Sequence, residues 1–416
     1  MRKLGWLGVL VGGIALSIYS SAPVSGQQQQ PQAMPRPYGT PPPMVITAFG
    51  GKPVTYKAPR TPWGDPDLQG VWSSDDMEGI SAEGRAGGPG GGRGRGAAPV
   101  PAVAPAGPRP LYLTDEELEA RKKQVASRAT DRDTNATSTF RNDYARRAFP
   151  QTRLLVDPAD GRMPAIRPDV QARVMPRGTF GAGPLNSWHD FSLYERCITR
   201  GIGGSVLQVI YGNGNRIVQA PGVVAFSYEM LSDTRIFHVD DRPHVNQKIG
   251  MYLGDSRARW EGEELVVETT NLTDQTAFGV NGNGTQHSKA MKITERFRRV
   301  ADDIVQYQAT WDDPGTFVAP FTVSFPLTPL DGGVLLPYEC HSGNHAIEMS
   351  LAAERDEDRN MAAAAAKGIT RERRAINQPG GVQGAGAGRA AAAGPAGAAG
   401  RGGRGTAADT GAEAEK

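Results

Sequence analysis

The six histidines of this chain, His189, His238, His244, His287, His341 and His345, are the side chains best suited to move protons near neutral pH. His244 is followed by Asp255 and Glu268, and an imidazole beside a carboxylate is what general acid–base transfer requires. The same stretch, from Arg235 to Asn271, holds Arg257, Trp260 and several further Arg, Asp and Glu residues. If strands over 234–239 and 265–270 lined a cup, paired guanidinium and carboxylate groups with Trp260 would hold a polar or ring-bearing ligand. On an outward face the same groups would be ion pairs ordering loops. A second polar cluster, Trp188 to Arg196, adjoins Cys197, and Glu339 and His341 flank Cys340. The acid–base candidates are therefore His244, His341, Asp255 and Glu268. The candidate ligand contacts are Arg196, Arg235, Arg257, Trp260, Asn271 and Glu339.

His341, His345 and Glu348 have the spacing of a two-histidine, one-carboxylate metal set on one helix face. Gly343 and Asn344 place the helix start too late to keep His341 on that face, so no metal ligand is assigned. Gly-x-Ser-x-Gly, His-Glu-x-x-His, Walker and dinucleotide signatures are absent from the sequence. Gly201-Ile202-Gly203-Gly204 follows Thr199-Arg200 and precedes a strand-like run, which makes it a turn and not a phosphate cradle. No cofactor is expected. Lys plus Arg is 46 and Asp plus Glu is 44, a net charge of +2 that gives no broad field to attract nucleic acid.

The elements that must position these groups are unevenly spread. The chain has 53 Gly and 32 Pro among 416 residues, and they concentrate in a few segments. Met1-Arg2-Lys3, an apolar stretch to Tyr19 and a small polar stretch to Gly26 have the order of a secretory signal over 1–26. Past it, no apolar run reaches the length of a membrane span, and a periplasmic or secreted location is expected. In such a compartment Cys197 and Cys340, 143 positions apart, favour a disulfide, with two buried thiols as the alternative. Residues 27–62 form an extended arm. A β-rich domain over 63–367 carries a flexible Gly/Pro/Ala insertion over 84–110, and 368–416 is a disordered tail.

Thr114 with Glu117 is a capping box that opens a helix over 115–127. Residues 128–190 are rich in turn signals and are expected to pack as an irregular crust through Leu154, Leu155, Ile166, Val174 and Phe180, or to line a site. Strands are expected over 205–210, 216–220, 223–229, 234–239, 265–270, 289–299, 304–311, 321–325 and 335–340. Residues 44–47 and 54–56 give weaker strand signals. In 289–299, Met291, Ile293, Glu295 and Phe297 point one way and Lys292, Thr294 and Arg296 the other. Strands about a dozen residues apart without intervening helices indicate an antiparallel meander, and closure into a barrel removes its edges. A β-sandwich is the alternative. A helix over 344–367 is expected to lie across one barrel end.

Two resemblances add to this. Gly70-x-Trp72 resembles the element that opens the first strand of lipocalin-like barrels, which implies a calycin-like barrel with Trp72 plugging its base. The segments Glu195-Arg196-Cys197-Ile198-Thr199-Arg200-Gly201, Gly254-Asp255-Ser256-Arg257-Ala258-Arg259-Trp260-Glu261-Gly262, Leu265 to Asn271 and Tyr338-Glu339-Cys340-His341 resemble a large family of exported bacterial proteins of unassigned activity. That resemblance runs from Trp63 to Glu354 outside the insertion and points to the same Arg, carboxylate, Trp, Cys and His positions. His345 stands where relatives tend to have Tyr, and Ser232 where they tend to have His.

The functional expectation is an exported protein binding a small ligand. The alternatives are a metal-free lyase, isomerase or hydrolase using a histidine and a carboxylate, and an interaction protein of the cell envelope. The first two require the short strands after residue 204 to enclose one hollow shared by Arg235, His244, Asp255, Trp260, Glu268 and His341. The third requires an exposed apolar patch instead.

Overall fold

The computed structural model describes residues 48–77, 80, 110–131, 145–170, 185–209, 211–279 and 285–373. The expected signal, the insertion over 84–109, Val174, Phe180 and the tail from 374 lie outside them, as does the weak strand signal at 44–47. Ten strands build the main sheet: β1 Gly70–Ser73, β2 Leu155–Asp157, β3 Gly214–Ala220, β4 Val223–Tyr228, β5 Thr234–Val239, β6 Asp255–Glu261, β7 Glu264–Thr270, β8 Lys292–Ala301, β9 Ile304–Asp312 and β10 Phe321–Pro329. Three helices accompany them: α1 Asp115–Asp131, α2 Gly201–Val206 and α3 Ala346–Ala366.

Nine strands close a ring in the order β1-β3-β4-β5-β6-β7-β8-β9-β10, and β10 pairs back onto β1 through Thr328 with Ser73 and Pro329 with Trp72. β2 pairs with the start of β10, beyond the length of β1. The protein is thus mainly β with a closed barrel, but the barrel is mixed and not purely antiparallel. The reason is parity. A closed ring of nine strands cannot reverse direction at every step, so one neighbouring pair must run parallel. That pair is β5 and β6, matched at His238 with Arg257 and at Val239 with Ala258. A parallel step needs a long return connection, here the strap 240–254, which runs over the outer wall.

Alternation along the strands decides what lies inside. Phe226, Phe237, Phe297, Tyr307 and Phe325 stack successively through the interior with ring centroids 5.1–6.2 Å apart. Ile293, Glu295 and Phe297 face inward as their period-two pattern requires, and all three are buried. Trp72 joins this core and donates its indole N–H to the Leu68 carbonyl at 3.0 Å. Gly70 sits at φ +151°, where a Cβ would lie 3.0 Å from that indole. A side chain at 70 would push against the ring it precedes.

One barrel end is closed by α2 and by the short strand Ala277–Phe278, whose Phe278 ring packs 5.0 Å from Trp311 and 4.8 Å from Phe321. A residual cavity of about 10 Å³ remains there, lined by Ile202, Gly203, Thr276, Phe278, His287 and Trp311. That is space for a single water at most. The expected strand over 205–210 and turn over 201–204 are therefore corrected: residues 201–206 are helical. Gly201 stands at φ +68° with Thr276 3.1 Å from the position of a Cβ, and Gly203 has Phe278 at 3.3 Å. Local glycine content argues against helix, but only glycine lets this helix enter the barrel mouth.

The expected strand over 335–340 is also absent; Val334 and Leu336 are exposed, and Pro337 removes a ladder donor. β1 and β6 take the places of the two missing strands. Residues 54–56 are irregular. α1 begins at the capping box, with Glu117 N–H donating to Thr114 Oγ1 at 3.3 Å and Thr114 N–H to Glu117 Oε2 at 3.0 Å. The crust is present over 145–170. Leu154 and Leu155 are buried there, and Gln151 Nε2 donates to the Arg153 carbonyl at 2.6 Å and the Ser324 carbonyl at 2.5 Å. The helix expected over 344–367 is α3. Its Arg355 donates to the Asn186 carbonyl at 2.6 Å, and its buried Glu354 and Glu357 meet Arg373 and Arg371. Among the described residues no helix is long and apolar enough to cross a membrane.

Candidate functional site

The strap and three adjoining strands bring four of the predicted residues, together with Lys292, to one place on the outer wall. Asp255 and Arg257 lie on the outward face of β6, and Glu268 lies beside Arg257 on β7. His244 comes from the strap. Its Nδ1 lies 2.9 Å from Asp255 Oδ2, and its Nε2 lies 3.6 Å from Glu268 Oε1. A carboxylate can only accept, so Nδ1 carries the proton that Asp255 accepts, and Nε2 is the ring edge that faces Glu268. Asp255 Oδ2 also accepts the Val245 N–H at 3.1 Å, while its Oδ1 lies 3.2 Å from Arg257 Nη2. Arg257 Nε donates to the Pro243 carbonyl at 3.3 Å. Lys292, from β8, forms an ion pair with Glu268 Oε2. Two carboxylates and two cations thus surround an imidazole whose side chain keeps 23 % of its surface open to solvent.

The chain folds locally this way because the strap has few apolar anchors and is tied down by polar ones. Asn271 sits at φ +60°, and its Nδ2 lies 2.9 Å from the Asn246 carbonyl, 3.0 Å from that of Ile249 and 3.4 Å from that of Val245. Asn tolerates this left-handed backbone better than other non-glycine residues. Gly254 closes the strap at φ +69°, where a Cβ would lie 2.5 Å from the Thr270 carbonyl oxygen. Asn271, expected as a ligand contact, is buried and holds the strap that presents His244.

Arg235 and Trp260 are placed on the other side of the wall. Arg235 is inside the barrel, where Nη2 meets Glu295 Oε2 at 2.6 Å and Nη1 meets Oε1 at 2.9 Å. Its remaining contacts are Tyr228 Oη at 3.2 Å, Thr269 Oγ1 at 2.8 Å and Ser256 Oγ at 3.1 Å. Tyr307 Oη donates to Glu295 Oε1 at 3.0 Å. Burial alone would lower the Arg235 guanidinium, but Glu295 and Tyr228 outweigh it and hold the group firmly charged. Burial pushes the Tyr228 hydroxyl up to about 12. Trp260 packs against the core from its inward position on β6, with its Nε1 buried. The anticipated hollow is filled, and Arg235 and Trp260 are separated from His244, Asp255 and Glu268 by the sheet itself.

Arg196, Glu339 and His341 form a third location. Cys197 and Cys340 are joined as a disulfide with Cα atoms 5.7 Å apart. Arg196 lies 4.3 Å over the Trp188 ring, and Glu339 and His341 are exposed beside the bridge. Asn344 Nδ2 approaches Cys197 Sγ at 3.5 Å. His345 contacts Glu348 at 3.3 Å in the open. Nearby, the hydroxyls of Tyr211 and Tyr338 lie 3.5 and 3.4 Å from that of Tyr194, and burial is the main cause raising Tyr194.

Three participants were missed from sequence. Lys292 was readable as outward facing but not as a partner of Glu268, because the pairing of β7 with β8 was unknown. Glu295 carried a signal that could have been used: an acid on the apolar face of an alternating strand must find a buried partner. His287 is buried, accepting from Thr276 Oγ1 at Nε2 and lying 3.1 Å from the Ser288 carbonyl at Nδ1. Its burial lowers its pKa and keeps it neutral. In comparison with known proteins, the chain matches no family model, no curated protein and no solved structure.

Proposed function

We propose that this is an exported protein that takes a small polar or anionic ligand on the outer wall of its barrel, and that His244 moves a proton there. The observation that carries this reading is the position of His244. Asp255 orients the ring through Nδ1, and the Nε2 edge faces Glu268, whose own charge Lys292 balances. A ligand hydroxyl or an acidic C–H brought to the edge where Nε2 and Glu268 Oε1 lie 3.6 Å apart would meet both acid–base groups from the same side. Lys292 and Arg257 would offer charge-assisted contacts to an anionic ligand group. Proton transfer of this kind serves a lyase, an isomerase or a hydrolase, and a binder would use the same contacts without turnover. The disulfide and the lack of a membrane-length apolar helix among the described residues are compatible with export.

The test compares wild type with His244→Gln and Glu268→Gln on extracted small metabolites by mass spectrometry. Loss of turnover in both variants, with ligand still retained by His244→Gln, is the expected result for catalysis. Ligand retained by wild type with no product in any sample would reduce the reading to binding. Neither ligand nor product with wild type would remove the site.

A further inference from the structure

Three tyrosines meet beside the disulfide, at the place that also holds Arg196 and Glu339. Tyr194 Oη lies 3.5 Å from Tyr211 Oη and 3.4 Å from Tyr338 Oη. An O–H···O bond settles at about 2.7–2.8 Å, so these hydroxyls are gathered without closing on one another. Among the described residues none of the three has another hydrogen-bond partner. Three protons and the lone pairs of three oxygens are thus brought to one point with little use for them inside the protein.

Each tyrosine comes from a different segment, and each segment is fixed in its own way. Tyr194 lies in a turn where the Ser192 N–H and hydroxyl both donate to Glu195 Oε2, at 2.9 and 2.8 Å. Tyr211 precedes Gly212, which stands at φ +73° and where a Cβ would collide with Met230 Sδ. Tyr338 is two residues from Cys340, which the disulfide joins to Cys197. Buried Arg200 lies 5.3 Å from the centre of the Tyr194 ring. Groups held this way need little ordering when a ligand arrives. The cluster is open to solvent, since Tyr194 and Tyr338 are half-buried and Tyr211 is 37 % exposed.

We propose that this cluster binds the hydroxyls of a neutral saccharide. Two features select that class. First, a phenol both donates and accepts, as a sugar hydroxyl does, whereas an oxyanion only accepts and an ammonium group only donates. An oxygen about 2.7 Å from both members of a pair 3.4–3.5 Å apart fits beside them without moving either. Three such groups at one point suit a ligand with several hydroxyls close together, which is what a sugar ring carries. Second, charges of both signs border the cluster. Arg196 and Arg200 stand with Glu195, Glu229 and Glu339, so no one sign prevails to draw in an ion. Burial keeps the Tyr194 hydroxyl protonated, and the exposed Tyr211 ring adds apolar surface for the C–H side of a sugar.

The site lies apart from His244 and does not depend on the proton-transfer reading. Saturation-transfer difference NMR on the mature full-length chain tests it, with neutral mono- to tetrasaccharides of glucose, galactose, mannose and N-acetylglucosamine as probes. Transfer to at least one of these sugars is expected. Tyr194→Phe and Tyr338→Phe each remove only a hydroxyl, and each should weaken binding of that sugar at least ~10-fold, with folding checked by circular dichroism. Acetate and inorganic phosphate at equal concentration should not displace it. No transfer to any sugar, undiminished binding in either Phe variant, or displacement by acetate or phosphate would each overturn the proposal.

Discussion

Arg235 and Glu295 meet inside the barrel as a two-pronged ion pair, 2.6 and 2.9 Å between their paired atoms, with side chains 2 % and 1 % exposed. They come from strands on opposite sides of the β6–β7 hairpin, and four hydroxyl groups complete their shells. The pair occupies the space in which a barrel of this class could have held a ligand.

Removing one partner should therefore be severe. Glu295→Gln leaves a buried guanidinium without its counter-charge, and a loss of roughly 3–5 kcal/mol is expected. Arg235→Met with Glu295→Leu should recover part of that loss. Recovery is incomplete because the hydroxyls of Tyr228 and Tyr307 then lose their partners. Urea unfolding of the single and double variants gives the comparison; a Glu295→Gln protein as stable as wild type would show that the pair is not buried as described.

His287 sets a pH dependence whose sign can be worked out. Burial lowers its folded pKa below the ordinary histidine value of about 6.5. Below that value the unfolded chain binds a proton that the native protein refuses, so stability falls as pH drops. From about pH 7 to about pH 5.5 this one group should therefore steepen the loss of stability as the pH drops. His287→Gln, which can still donate and accept, should start less stable but lose that contribution to the slope. Unfolding curves across this range, with equal slopes in both proteins, would refute the assignment.

Asn271 is expected to act on His244 through the strap. In Asn271→Asp the amide donor becomes an acceptor facing three carbonyls, which should cost about 1–3 kcal/mol. It should also release the strap, read as faster amide hydrogen exchange over 244–250. Exchange there matching wild type would mean that Asn271 is not the clamp. Asn271→Gly keeps the left-handed backbone and separates loss of the clamp from strain.

The disulfide closes a loop of 143 residues between Cys197 and Cys340. Replacing both by Ala should lower stability by at most about 5 kcal/mol on the chain-entropy view. Because the bridge ties an irregular segment and not a strand, the β-barrel signature in circular dichroism should survive below the new midpoint. Two thiols labelled on the unreduced, unfolded wild-type protein would show that the bridge does not form in solution.

Much of the architecture could be read from the amino-acid order alone. Period-two alternation located most strands and sorted their faces, because each side chain's side of the sheet follows from its place in the strand. It put Ile293, Glu295 and Phe297 together, and the capping box at Thr114 and Glu117 marked the start of α1. The short helix at Gly201 was not legible, since its glycines are chosen by contact with Thr276 and Phe278 and not by helix propensity. Nor was the parallel step, which follows from the number of strands that close the ring and not from any one segment. That step decided the site. It threw the strap back across the outer wall, delivered His244 to Asp255 and Glu268, and left Arg235 and Trp260 facing the core. Composition told which groups were at hand; only ring closure determined which of them share a face, because a sheet wall separates neighbours in sequence as surely as it joins residues far apart.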